Sequence, residues 1–318
     1  MKDAATRDGY GAALQEIGEN PKIVVLDAGV SDSTRSKKFG DRFPDRFFNM
    51  GISEADMVCT AAGFATTGKI PFATSFACFL LGRSMDQILV SIAYSNTNVK
   101  LVGTHAGLAV GEDGPTAQMI VDVAYTRALP NMTVIQPADF EETVQAVKAL
   151  VEHQGPAYLR LGRPKVKGLY DASYRFQIGK AHVLREGTDG VVFATGIMVQ
   201  ESLAAADSLA QEGVNVAVVN ISTIKPLDTA LVARLARSAG AVVVAEDHNI
   251  FGGLGSAVYE VLVEEGISVP ARRVGVRDSF AETGSQKELF EKYGLSSGHI
   301  VAAVKEVLAR KAGSKVPA

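Results

Sequence analysis

An α/β protein of two domains, each a mostly parallel sheet flanked by helices, is what the sequence predicts, and three observations predict it. The chain has 318 residues, enough for two domains at roughly 100–200 residues each. Its β-rich runs are apolar throughout instead of alternating, which marks strands buried on both faces. Those runs are separated, from one end to the other, by segments with helical patterning, as in a sheet wound with crossover helices.

The elements follow in order. A helix is expected over Thr6–Ile17, then a strand at Ile23–Asp27 (IVVLD), too short for a helix and set between turn residues. The same reasoning gives strands at Pro71–Thr74, Val99–His105, Met132–Gln136 and Ala157–Leu161. Between them, helices are expected over Glu54–Thr67, Arg83–Tyr94, Thr116–Leu129 and Asp139–His153. The last carries the strongest signal: Asp139 can cap it, and Glu141 and Glu142 fall where the helix end is positive. Residues 162–179 (GRPKVKGLYDASYRFQIG) lose the periodicity and gain Gly, Pro and charge, so they mark a boundary. The expected division is a first domain at 1–165, a linker at 166–180 and a second domain at 181–318. Alternation resumes with strands at Val191–Thr195, Val214–Ile221, Ala241–Glu246 and Val274–Val276. Helices are expected over Val199–Glu212, after Pro226, from Gly253, and twice before the end, with a frayed tail at Lys311–Ala318.

Composition excludes several classes of function. The net charge of −3, from 32 basic and 35 acidic residues, gives no bulk attraction to nucleic acid or anionic membrane. Hydrophobic residues at 47% rule out a disordered or solvating chain. Two cysteines, Cys59 and Cys78, are too few for a disulfide framework and suit a reducing compartment. Neither a signal peptide nor an apolar run near the roughly 18 residues of a membrane helix is present, so a soluble, cytoplasmic protein is expected. Five scattered histidines offer no metal-ligand spacing, and there is no Walker A loop or nucleophile elbow. Phe251–Ser256 (FGGLGS) loosely follows a dinucleotide fingerprint but lacks its third glycine; a close-packed strand-to-helix turn is the competing reading.

Two longer segments carry more. Arg42–Asp56 runs into an apolar helix and puts Glu54 in its first turn, beside the loops where ligands of parallel sheets bind. A glutamate there is either a functional carboxylate or part of the helix start, since Ser53 can act as the cap. Leu101–Gln118 reads as a strand ending in His105, a Gly-rich loop with Glu112 and Asp113, then a helix. Such a loop can be catalytic, or His105 can simply be a satisfied loop histidine.

These segments together resemble the transketolase family. The resemblance rests on ATRDGYGAAL at Ala5–Leu14, PDRFFNMGISEADM at Pro44–Met57, SFACFLLGRSMDQI at Ser75–Ile88 and THAGLAVGEDGPT at Thr104–Thr116. It continues through YLRLGRP at Tyr158–Pro164, IKPLD at Ile224–Asp228 and EDHNIFGGLGS at Glu246–Ser256. Seven motifs in family order span the pyrimidine-binding and C-terminal domains. The family's N-terminal domain, with its Gly-Asp-Gly motif, has no counterpart here. The resemblance therefore implies the C-terminal subunit of a split transketolase, and Met1 just before the domain start favours a natural subunit over a truncation.

What the resemblance implies for chemistry can be stated residue by residue. Thiamine diphosphate is the implied cofactor, shared with an N-terminal, diphosphate-binding subunit that would carry Mg2+ or Ca2+; no metal site is expected on this chain. Glu54 matches the glutamate that hydrogen-bonds the cofactor's pyrimidine ring and helps generate its carbon nucleophile. Phe76 and Phe79 match aromatics packed around that ring, or else fill the core. Arg7, Ser33 and Arg163 match positions that grip the phosphate of a sugar phosphate, guanidinium forks being suited to that anion. His105 lies with them as a catalytic and substrate-binding residue, and Asp113 matches an acid that orients an acceptor hydroxyl. His248 is expected to be structural or interfacial.

An assembly of two copies of each subunit (α2β2) acting on sugar phosphates follows, with no nucleic acid or membrane partner. Four positions depart from the family pattern: Gly29, Ala55, Asp56 and Ala117. The expected reaction moves a two-carbon ketol unit from a ketose phosphate to an aldose phosphate. The alternatives are a 2-oxoacid dehydrogenase β-subunit, a deoxyxylulose-phosphate synthase and a catalytically silent scaffold.

Overall fold

The computed structural model describes residues 1–313. Two sheets form its centre. The first has seven strands in the spatial order Thr223–Lys225, Thr133–Ile135, Ala157–Arg160, Lys100–Thr104, Ile70–Phe76, Ile23–Asp27 and Phe47–Asn49. All run parallel except Thr223–Lys225, which pairs antiparallel with Thr133–Ile135. The second has five strands in the order Ala271–Val276, Val242–Asn249, Gly190–Ala194, Val216–Asn220 and His182–Arg185, the last antiparallel. Helices cover both faces, as predicted.

Alternation within a buried strand explains how one sheet serves two cores. Val25 points into a cluster with Tyr10, Leu14, Phe39, Phe72 and Val147. Its neighbours Val24 and Leu26 point the other way, toward Met57, Val58 and Leu80. That second cluster runs on without a break into Val191, Phe193, Val232 and Val244 of the other domain. The two domains therefore share one apolar interior.

Most expected elements are present within a residue or two, and the exceptions have identifiable causes. The helix expected at Thr116–Leu129 starts only at Asp122. Gly107 N–H and Arg160 Nη2 both bond the Met119 carbonyl, drawing residues 116–121 into a loop. Residues 77–94 fold as helices at Ala77–Gly82 and Met85–Gln87 and a wide π-type turn at Ile88–Tyr94. The strand expected to stop at Glu246 continues to Asn249, through three buried polar residues that each make a bond to a distant segment: Asp247 to Leu108 and Ala109, His248 to Ala124 and Asn249 to Asp278. Residues 166–180 are strapped down: Asp139 Oδ2 accepts from Leu169 and Tyr170 N–H, and Tyr174 OH donates to Glu142. Asp139 does cap its helix, its Oδ1 accepting from Glu142 N–H at 2.8 Å. Residues 311–313 of the expected frayed tail continue the last helix, and its remainder lies outside the described residues. Among the described residues no helix is long and apolar enough to cross a membrane.

Parallel strands deliver their C-terminal ends to one edge of the sheet. Asp27, Phe76, Thr104 and Arg160 end there, so the loops bearing Ser33, Glu54, His105 and Arg163 gather along the same rim.

Candidate functional site

Glu54 opens the helix Glu54–Thr66 and is 3% exposed. Ser53 stands at the cap position without a side-chain bond, and Glu54 does not turn back to its own helix end. Its carboxylate instead takes both oxygens to Arg83 Nη1, at 2.9 and 3.1 Å. Arg83, half exposed, lays its guanidinium over Phe79 at 4.3 Å. Phe79 stacks on Phe76 at 5.5 Å with planes 10° apart, and Phe76 stacks on His105 at 3.8 Å. One row of stacked groups thus runs from Glu54 and Arg83 to His105. Arg83 is the site residue that sequence reasoning missed; its partner lies 29 positions away and no periodicity signals the pairing.

His105 sits in the left-handed region at φ 58° and is buried. Its Nε2 faces Arg7 Nη1 at 3.1 Å, and since a guanidinium can only donate, Nε2 accepts. Nδ1 then carries the proton and donates to Thr104 Oγ1 at 2.8 Å. Burial, followed by the charges of Arg7, Arg163 and Arg35, pushes the imidazole down to about 3, so it is neutral. In this arrangement it orients Arg7 and has no proton to give on that side.

Arg7 also donates from Nη1 to the Ser33 carbonyl at 2.8 Å, while its buried Nε has no partner among the described residues. Ser33 enters through its backbone, and Asp27 fixes that backbone. Asp27 accepts from Val30 N–H, Thr34 Oγ1 and Ser36 Oγ at 2.7–2.8 Å, bonds that work against the upward push of burial on its pKa. Arg163 bonds the Val110 carbonyl at 2.6 Å and pairs with Glu112 at 3.2 Å and Asp113 at 3.6 Å. Arg7, Gly111, Glu112, Arg163 and, from the second domain, Gln286 line an open cleft of about 260 Å³. Burial, and then the neighbouring Arg35 and Arg163, lower the Arg7 pKa against the opposing pull of Asp8 and Asp113.

The predicted residues therefore form two stations on one rim: a buried carboxylate with stacked aromatics, and an arginine-lined cleft. The first fits a flat nitrogen heterocycle such as the implied pyrimidine. Among the described residues no group of three or more His, Cys, Asp or Glu could hold a metal ion. Of the departures, Gly29 adopts φ 80° with only Gly51 and Ile52 backbone near its missing Cβ, at 3.5 Å and beyond. Ala117 is 6% exposed, Ala55 half-buried and Asp56 exposed. The FGGLGS segment is a strand-to-helix turn whose Leu254 and Gly255 N–H groups are taken by Glu246, at 2.7 and 2.8 Å. His248 is interfacial: Nδ1 donates to the Asn249 carbonyl and Nε2 accepts from Ala124 N–H of the first domain.

Residues 2–168 match the transketolase pyrimidine binding domain, and residues 179–300 the transketolase C-terminal domain. The chain is 42% identical over 308 residues to a C-terminal section assigned to transketolase in Methanocaldococcus jannaschii, covering 96% of each. It is 43% identical to a 6-deoxy-6-sulfo-D-fructose transketolase subunit of Clostridium, covering 96% of this chain and 95% of that one. A 1-deoxy-D-xylulose-5-phosphate synthase of Syntrophotalea carbinolica is 39% identical, with 94% of this chain matching 47% of its length. Among solved structures, a split-gene transketolase described as an inactive β4 tetramer superposes with a TM-score of 0.90 at 48% identity, over 98% of this chain and 100% of that one.

Proposed function

Because the chain belongs to the transketolase family, we propose that it is the C-terminal subunit of a split transketolase. It would move a two-carbon ketol unit from a ketose phosphate to an aldose phosphate, in the cytoplasm, in an α2β2 assembly with an N-terminal subunit. The observation that carries this reading is the single row joining Glu54 to the arginine cleft through Phe79, Phe76 and His105. A buried proton-handling carboxylate and an anion clamp on one rim are what such a transfer requires.

Thiamine diphosphate, when bound, supplies the carbon nucleophile. Glu54 would hold and exchange a proton at the pyrimidine ring nitrogen, with Phe76 and Phe79 excluding water from that ring. Arg7, the Ser33 loop and Arg163 would grip the terminal phosphate, with neutral His105 fixing Arg7. Asp113 would orient the acceptor hydroxyl. The diphosphate and its divalent ion would be held by the partner subunit. A 2-oxoacid dehydrogenase β-subunit would leave the Arg7–Arg163 cleft without a task, and a silent scaffold would leave both stations so.

A second reading concerns the donor. The 6-deoxy-6-sulfo-D-fructose transketolase subunit shares 43% identity over nearly its full length. The missing side chain at Gly29 and the small one at Ala117 suit a ketose whose far end is not a phosphate. The test is reconstitution with a diphosphate-binding subunit, followed by a panel of phosphorylated and sulfonated ketoses, with pyruvate included. Ketol transfer to an aldose phosphate supports the proposal; pyruvate as the only productive donor would replace it with a synthase. Calorimetry on this chain alone should show weak cofactor binding, and tight binding would contradict the shared site.

A further inference from the structure

The loop that carries Asp113 is gripped from the second domain, which supplies no group to the two stations apart from the rim residue Gln286. Asp247, on the strand Val242–Asn249, is 1% exposed. Its Oδ1 accepts from Leu108 N–H at 2.8 Å and its Oδ2 from Ala109 N–H at 3.0 Å. These are the first N–H groups of the turn Leu108–Asp113, which ends on the acidic pair facing Arg163. The carboxylate comes so close that a Cβ on Gly107 would lie 2.0 Å from Oδ2, and Gly107 itself sits at φ 78°. Arg160, fully buried, bonds both the Asp247 and Met119 carbonyls at 3.0 Å and so fixes strand and loop to one another. Further along, Gln118 Nε2 reaches the Glu282 carbonyl at 3.1 Å.

We propose that Asp247 is a positioning residue: by binding the Leu108 and Ala109 N–H groups across the domain interface, it sets the placement of Asp113 and His105 toward substrate. The inference deepens the functional reading above, and rests on it only for the kinetic consequence. A charged acceptor shared by two amides is a strong anchor, and a misplaced loop costs acceptor recognition first.

The test uses the full chain and three variants: Asp247→Ala, which removes both acceptors; Asp247→Asn, which keeps one; and Gly107→Ala, which pushes the loop off from its own side. Hydrogen exchange should accelerate at least tenfold at Leu108 and Ala109 in Asp247→Ala and Gly107→Ala, and less in Asp247→Asn. Protection in Phe140–Glu152 and Met198–Gln211 should be unchanged. In the reconstituted enzyme, the acceptor KM should rise about tenfold or more while donor consumption without acceptor stays near wild type. Unchanged exchange in all three variants would overturn the anchor, whatever the enzyme's activity. Acceleration throughout both domains would reduce Asp247 to general stability. Loop acceleration with an unchanged acceptor KM would remove its positioning role.

Discussion

Arg83 holds Glu54 through a single nitrogen, Nη1, placed 2.9 and 3.1 Å from the two carboxylate oxygens. The pair joins the first turn of one helix to the residue following another, and only the arginine is open to solvent. The buried carboxylate is thus held at the rim by a half-exposed partner. A glutamate that served merely to start a helix would have no need of such a partner.

Glu54→Gln, assayed with the diphosphate-binding subunit, should lose at least a hundredfold in kcat and keep its fold. Glutamine preserves shape and accepts from Arg83 but cannot pass a proton. Steady-state kinetics beside a melting curve checks both halves; wild-type turnover would remove Glu54 from the chemistry.

Replacing Arg7 or Arg163 with alanine should lower kcat/KM for phosphorylated aldoses about ten- to a hundredfold, or about 1.5–3 kcal/mol for a charged hydrogen bond. Phosphate-free aldoses should be nearly indifferent to either change. Equal losses on both substrate types would mean that the arginines support the loops instead of gripping the anion.

His105 should not titrate across the physiological range. Its pKa lies near 3, depressed first by burial and then by Arg7, Arg163 and Arg35. In the unfolded chain it takes up a proton near 6.5, so its contribution to stability is full above that pH and falls as pH drops toward 3. Histidine NMR from pH 5 to 8 should show its ring resonances fixed, and a midpoint near 6.5 would refute the assignment.

Lys100 makes a separate pH prediction. Its ammonium is buried among the Asn98 side-chain oxygen and the His153 and Gly155 carbonyls, and burial lowers its pKa to about 7. Between that value and the ordinary 10.5 the unfolded chain holds a proton that the folded one has released. Stability from this group therefore rises with pH over that interval. Urea midpoints from pH 7 to 10 should show the rise, and Lys100→Met should flatten it.

How much of this was legible depended on the range of the forces involved. Ile23–Asp27 and the Asp139 cap were readable because their signals are local: an apolar run, a carboxylate three residues from the N–H it binds. Glu54, Arg7 and Arg163 were reached through motifs, yet nothing local disclosed that His105 would be neutral and bonded to Arg7. Arg83, Asp247 and the strand Thr223–Lys225 were invisible for one reason: each owes its place to a partner distant in the chain. The helix expected from Thr116 failed likewise, because Arg160 and Gly107 claim the Met119 carbonyl from outside the segment.

The strand Thr223–Lys225 has a consequence for biosynthesis. It closes the edge of the first sheet beside Thr133–Ile135, but the ribosome makes it long after the other six strands. Until it emerges, a nascent chain carries a sheet with an open hydrogen-bonding edge, the kind of surface that recruits a neighbouring chain. Amino-terminal folding is therefore committed only once much of the carboxy-terminal half has been synthesised. A protease cut anywhere in residues 166–180 would not divide this molecule into two separable pieces.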